Sequence, residues 1–126
     1  MAEDESNEQR IIRTMVSAFF SELITQVKTL KIGTFQKLII VQIMSKASGE
    51  FSKMTLAQLQ ELVPTIDRMK AQIDLGELPS EFNEVRMFVS GDNLTQVIQM
   101  LQVILTQFQK CIEQIQAQIE IEKTMI

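Results

Sequence analysis

Apolar residues recur along the chain at the three- and four-residue spacing of amphipathic α-helices, and no segment shows a serious strand pattern. The first such segment begins after Ser6, whose hydroxyl can cap a helix, with Gln9 completing an S-x-x-Q capping box. Its apolar stripe extends from Ile12 to Leu30, and Gly33 is placed to end the helix. The pattern predicts a first helix of about 26 residues, roughly 39 Å long.

A second and shorter helix is predicted from Phe35 to about Ala47. Thr34 can cap its start, and the pair Ser48 and Gly49 is expected to end it. Apolar residues lie on more than one side of this segment. A helix with that pattern is either central in a bundle or partly exposed at an interface.

The middle of the chain contains a third helical segment and a short amphipathic one. Thr55 can cap the third segment, with Gln58 as its capping-box partner. Pro64 lies inside the segment and either kinks one helix or separates two, because proline lacks the amide donor. Gly76 ends the segment, and residues 81–89 form the short amphipathic piece.

The last segment, residues 92–125, has the most regular pattern in the chain. Asp92 can cap a helix of about 33 residues there. The stripe is broad at first and narrows after Cys111 to a seam that suits one partner helix. Apolar residues follow the strict four-three spacing of a heptad seam at Leu94, Ile98, Leu101, Leu105, Phe108, Ile112, Ile115 and Ile119.

Together these segments predict an all-α fold, a four- to five-helix bundle with long first and last helices, the last with coiled-coil-like heptads. A length of 126 residues fits one domain. Residues 1–6 are acidic and are expected to form a flexible tail. Residues 7–126 are then a single helical-bundle domain that contains the heptad helix 92–125.

The composition argues against catalysis. The chain has no His, Trp or Tyr and only one Cys, which removes histidine-based acid and base chemistry and the usual zinc sites. Its four glycines are isolated between helical segments, so no glycine-rich phosphate loop is present. The acidic residues around Gly76 lack the EF-hand order and indicate a solvated loop rather than a metal site. We expect no enzymatic activity, no cofactor, no metal and no small-molecule substrate.

Exposed apolar stripes of the size seen here usually find a partner. We therefore expect a non-enzymatic protein–protein interaction module, self-associating or serving as a scaffold subunit through the seam of its C-terminal helix. A monomeric bundle, with the first and last helices paired along their length, is the alternative. Ile112→Asp or Ile119→Asp is expected to abolish association while leaving most of the helicity. The expected interface, with a second copy or a partner helix, consists of Leu38, Val41, Met100, Val103, Phe108, Ile112, Ile115 and Ile119.

Charge is unevenly distributed along the chain, which has a net charge of −4. Residues 9–72 carry nine basic and four acidic groups, whereas residues 73–126 carry three basic and eight acidic groups. A second hypothesis is therefore nucleic-acid binding by the basic half. The absence of Tyr and Trp for base stacking weighs against it. The candidate phosphate contacts are Arg10, Arg13, Lys28, Lys31, Lys37 and Lys46.

The longest uninterrupted apolar run is Leu38 to Val41, far below the about 20 residues that a membrane-spanning helix needs. The acidic N-terminus is unlike a signal peptide. The sequence therefore predicts a protein without a membrane partner, located inside the cell in the cytoplasm or nucleus.

Overall fold

A computed structural model describes residues 6–89 and 91–124, and within those ranges the chain is helical with no β-strand. The predicted all-α fold with long first and last helices is confirmed. The elements are α1 (Asn7–Val27), α2 (Thr34–Phe51), α3 (Leu56–Asp74), a 3₁₀ helix (Ser80–Met87) and α4 (Gly91–Thr124). The predicted tail lies outside the described residues except for Ser6.

Two of the predicted helix starts are confirmed by their hydrogen bonds. The Ser6 hydroxyl accepts from the backbone N–H of Gln9 at 3.1 Å. At α3, the Thr55 hydroxyl accepts from the N–H of Gln58 at 3.1 Å, and the Gln58 side chain accepts from the N–H of Thr55 at 2.9 Å. Each bond satisfies a backbone donor that the first turn of a helix leaves without an intrahelical partner.

The predicted boundaries between α1 and α2 are wrong in two respects. The apolar pattern predicts that the first helix continues to about Gly33, but α1 ends at Val27, and the backbone turns after that residue. The N-cap of α2 is Gly33 rather than Thr34. The N–H of Gly33 donates to the side chain of Gln36 at 2.9 Å, which satisfies this donor without a capping hydroxyl.

The predicted end of α2 is also wrong, because the helix continues through Ser48 and Gly49 to Phe51. A single glycine inside a helix costs only about 1 kcal/mol relative to alanine. The ring of Phe51 packs against the rings of Phe20 and Phe108, with centroid distances of 6.0 and 5.1 Å. This packing stabilises the additional turn of α2 beyond the glycine.

Pro64 lies inside α3, which is one helix rather than two. α3 ends where predicted, and Gly76 follows with a φ of +81°, a conformation that glycine adopts without steric cost. The short amphipathic segment is a 3₁₀ helix. α4 begins at Gly91, so Asp92 lies in its first turn rather than at the cap.

The long helices pair in antiparallel fashion. The Sγ of Cys111 lies 4.0 Å from the carbonyl oxygen of Met15, and the side chain of Gln96 accepts from the N–H of Lys31 at 3.2 Å. The start of α4 is therefore next to the end of α1. α1 packs mainly against α2 and α4, and α3 packs mainly against α4.

Candidate functional site

The predicted seam of α4 is closed within the chain. Phe108, Ile112, Ile115 and Ile119 are buried in the hydrophobic core, where α4 packs against α1 and α3. A heptad stripe has the same appearance in the sequence whether the facing helix belongs to the same chain or to another. In this structure the facing helices come from the same chain, so a partner reaches these four side chains only if the bundle opens.

The other four predicted interface residues lie on two different helices. Leu38 and Val41 belong to α2, and Leu38 is exposed while Val41 is half-buried. Met100 and Val103 belong to α4, and Val103 is exposed while Met100 is half-buried. Because α2 packs mainly against α1, these residues do not extend the α4 seam into one continuous surface.

The six predicted phosphate contacts are spread along α1 and α2 rather than grouped in one compact cluster. Three lysines meet at the turn between α1 and α2, where Lys37 Nζ donates to the carbonyl of Lys28 at 2.9 Å. The two arginines lie near the start of α1, and Arg10 is about 27 Å from Lys28 along the helix axis. The exposed members of the set are Arg10, Arg13, Lys28, Lys31 and Lys46, and Lys37 is half-buried.

Four large apolar side chains are exposed at one end of the molecule, and we call them the apolar end patch: Phe35, Leu38, Met87 and Phe88. Phe35 and Met87 are 66% and 77% exposed. The side chain of Gln36 donates to the carbonyl of Phe88 at 2.9 Å, which places the first turn of α2 beside the end of the 3₁₀ helix. The lysines of the α1–α2 turn lie at the same end.

The opposite end of the molecule has a different character. The final turns of α4 carry Glu113, Glu120 and Glu122 against one lysine, Lys123. Ile121 lies among them and is exposed. Since α4 is antiparallel to α1, this segment is far from the α1–α2 turn and at the same end of the molecule as the first turns of α1, which carry Arg10 and Arg13. We call these final turns of α4 the acidic end.

A partly enclosed cavity of about 340 Å³ lies between all five helices. Its walls include the rings of Phe20 and Phe108, and α2 and α4 both contribute aliphatic side chains. Only Thr65 and Glu81 among the lining residues carry polar side chains. Protein interiors are close-packed, so an apolar space of this size is a candidate binding site.

Glu81 is the one charged group that lines the cavity, and it forms an ion pair with Arg68. Its own backbone N–H and then Arg68 hold the pKa of the Glu81 carboxyl below 4.5, against an opposing contribution from partial desolvation. Hydrogen bonds and positive charge both favour the ionised form. The carboxylate is therefore ionised at neutral pH, and because Glu81 is exposed, it lies at the edge of the cavity rather than inside its apolar walls.

Cys111 is buried and faces α1. Burial raises the pKa of its thiol to about 11, because an apolar environment disfavours the thiolate. Across residues 6–89 and 91–124, no three His, Cys, Asp or Glu side chains are grouped so that they could hold a metal ion. No helix in those ranges is both long and apolar enough to cross a membrane.

Comparison with protein-family models, with curated proteins and with solved structures finds no match for this chain.

Proposed function

We propose that the protein is a non-enzymatic interaction module whose copies associate end to end. The apolar end patch of one copy would meet the acidic end of the next. The observation that carries this proposal is the exposure of Phe35, Leu38, Met87 and Phe88 together at one end of the molecule. Large apolar side chains grouped on a surface are typical of protein contacts.

Charge supports a second copy of this chain as the partner. Lys28, Lys31 and Lys37 lie at the same end as the patch, so two patches facing each other would bring like charges together. The acidic end offers glutamates beside the exposed Ile121, which complements both the lysines and the apolar side chains. Joining unlike ends is a heterologous contact, which either closes into a ring or extends as a chain.

This proposal retains self-association but moves it from the α4 seam to the two ends of the bundle. In this proposal, the lysines at the α1–α2 turn contact the glutamates of the next copy. We do not propose nucleic-acid binding, because Arg10 and Arg13 lie far along α1 from that cluster.

Light scattering after size exclusion, with refractive-index detection, tests the proposal. We expect a mass above the 14.4 kDa of one chain, and we expect it to fall as salt rises, because salt screens the charge contribution. Leu38→Asp should give the single-chain mass. Val103→Asp is the matched control, since Val103 is 52% exposed and Leu38 is 53% exposed. The proposal is contradicted if the wild-type protein has the mass of a single chain at low and at moderate salt concentration. It is also contradicted if Leu38→Asp and Val103→Asp change the mass equally.

A charge exchange tests which two ends meet. Lys31→Glu should weaken association by placing a negative charge near the patch, and Glu122→Lys should weaken it at the acidic end. An equimolar mixture of the two variants should associate again, because each altered end then faces a complementary one. If the mixture stays dissociated, the two ends are not partners.

A further inference from the structure

The cavity is too large to be an ordinary packing defect. Voids in protein interiors seldom exceed the size of a water molecule. An apolar cavity of roughly 150 Å³ stays dry and can hold a molecule of the size of benzene. The cavity of this protein, at about 340 Å³, is about twice as large and has almost wholly apolar walls. Water in it would find few hydrogen-bond partners, whereas an apolar ligand would be stabilised.

The walls of the cavity can adjust to a ligand. Met44, Met69 and Met100 line it from three different helices, and methionine side chains adapt readily to irregular shapes. α2 forms one wall and packs mainly against α1 rather than against the helices on the far side of the cavity. α2 therefore makes few direct contacts with α3 and α4, which leaves room for an apolar group among these helices.

Glu81 determines which polar head group such a ligand can carry. Glu81 is exposed and the walls are almost wholly apolar, so its carboxylate lies at the edge of the cavity. Arg68 already donates to it, so an additional anion there would meet a negative charge whose cation is engaged. A hydroxyl or ammonium group can instead donate to the free lone pairs of the carboxylate.

We propose that the cavity binds a medium-length aliphatic molecule with a hydrogen-bond-donating head group, the chain lying among the apolar walls and the head at Glu81. This site is separate from the apolar end patch and from the acidic end. Ligand binding and self-association therefore fail or succeed independently of each other.

Displacement of the neutral fluorescent probe N-phenylnaphthylamine tests the proposal. The chain has no Trp or Tyr, so protein emission does not interfere. We expect saturable binding of one probe per chain, and we expect decanol to displace it. An absence of saturable binding by the wild-type protein overturns the proposal.

Filling the cavity should remove the site. Ala47 and Thr65 line the cavity from α2 and from α3. Ala47→Phe and Thr65→Phe should each weaken probe binding by at least about tenfold, since an added ring occupies the available space. Ala117→Phe is the matched control, because Ala117 is exposed on α4. Far-UV circular dichroism verifies that each variant folds. If a folded Ala47→Phe or Thr65→Phe variant binds the probe as tightly as the Ala117→Phe control, the probe binds elsewhere and the proposed site is refuted.

Head-group selectivity tests the role of Glu81. Decanol should displace the probe at about tenfold lower concentration than decanoate, because the charge of decanoate would lie beside the like charge of the Glu81 carboxylate. Glu81→Gln should reduce this difference while leaving decanol binding in place. Equal displacement by decanol and decanoate in the wild-type protein contradicts the proposed position of the head group.

Discussion

The side-chain amide of Gln9 donates to the backbone carbonyl of Ser52 at 2.9 Å, linking residues 43 positions apart in the chain. The same amide lies 3.3 Å from the carbonyl of Met54 and donates to it as well. The first turn of α1 is thereby joined to the turn between α2 and α3. The sequence predicts that the Gln9 side chain completes a capping box at the start of α1. In the structure this side chain instead donates to the α2–α3 turn and stabilises the tertiary structure.

Removing this side chain should destabilise the fold. We expect Gln9→Ala to lower the free energy of unfolding by about 1–2 kcal/mol, because two partly buried carbonyls lose a donor. Urea denaturation followed by circular dichroism measures the change. Gln107→Ala, at an exposed position of α4, should change it by less than about 0.5 kcal/mol. Equal effects would show that the contacts of Gln9 add nothing to stability.

The burial of the α4 seam predicts a large effect of truncation there. Ile115 is fully buried in the core, so Ile115→Ala should lower the free energy of unfolding by about 2–5 kcal/mol. The exposed Ile121 is the comparison on the same helix, and Ile121→Ala should change it by about 0.5 kcal/mol or less. Thermal or urea unfolding measures both, and a small effect at Ile115 would indicate that this part of α4 is not packed as described.

Aspartate at the seam has a different expected outcome from the one that the sequence alone suggests. Ile112 is buried, so Ile112→Asp places an unpaired carboxylate in the core, and we expect loss of helicity as well as of any association. The far-UV circular dichroism spectrum at neutral pH measures this. A variant that keeps full helicity would favour an interface at the seam.

Cys111 should be unreactive in the folded protein. Its pKa of about 11 leaves the thiol protonated at pH 8, and its burial blocks reagent access. We expect reaction with a disulfide reagent to be at least about a hundredfold slower than in urea-unfolded protein. Fast reaction without denaturant would mean that α1 and α4 separate readily.

The same thiol predicts a change of stability in alkaline solution. The folded-state pKa lies above the ordinary value of 9.0, so the folded state retains the proton longer than the unfolded state. The contribution of this group is fully present below pH 9 and is lost as the pH rises from 9 towards 11. Cys111→Ala should remove this part of the pH dependence, which urea titrations at pH 8 and pH 10 measure.

The carboxyl of Glu81 should titrate below 4.5 even without its ion-pair partner. The backbone N–H of Glu81 is the largest single cause of its lowered pKa, ahead of the hydrogen bond from Arg68 and of the charge of Arg68 taken separately. In Arg68→Gln, we expect the pKa to rise but to remain below 4.5. The titration of the side-chain carboxyl by NMR measures this, and a return to the ordinary value would assign the lowering to Arg68.

Fold class was predictable because the apolar periodicity of each helix is local information. The Thr55–Gln58 box and the stop at Gly76 were predictable for the same reason. The end of α2 was not predictable, because it depends on tertiary contacts of the Phe51 ring with Phe20 and Phe108. These contacts outweigh the low helix propensity of Ser48 and Gly49.

The candidate sites were less predictable than the helices. The pattern of α4 indicates a packed stripe but does not identify the chain that packs on it, and α1 and α3 fill that role here. The cavity lies where α2 packs mainly on α1 and makes few contacts with α3 and α4, an arrangement that the apolar periodicity of a single helix does not predict. Apolar residues on several sides of α2 were the available signal, since Ile43 and Ala47 line the cavity while Phe35 and Leu38 face solvent.

The order of helix contacts also has a consequence for how the chain folds. α1 pairs with α2 across a turn, and α3 pairs with α4 across the segment that contains the 3₁₀ helix, so two of the three main pairings join consecutive α-helices of the chain. Short loops close quickly, and topologies with mostly local contacts fold on microsecond to millisecond timescales. We expect two helical hairpins to form early and the docking of α1 on α4 to limit the rate. Mutations at the Met15–Cys111 contact should therefore slow refolding more than mutations within either hairpin.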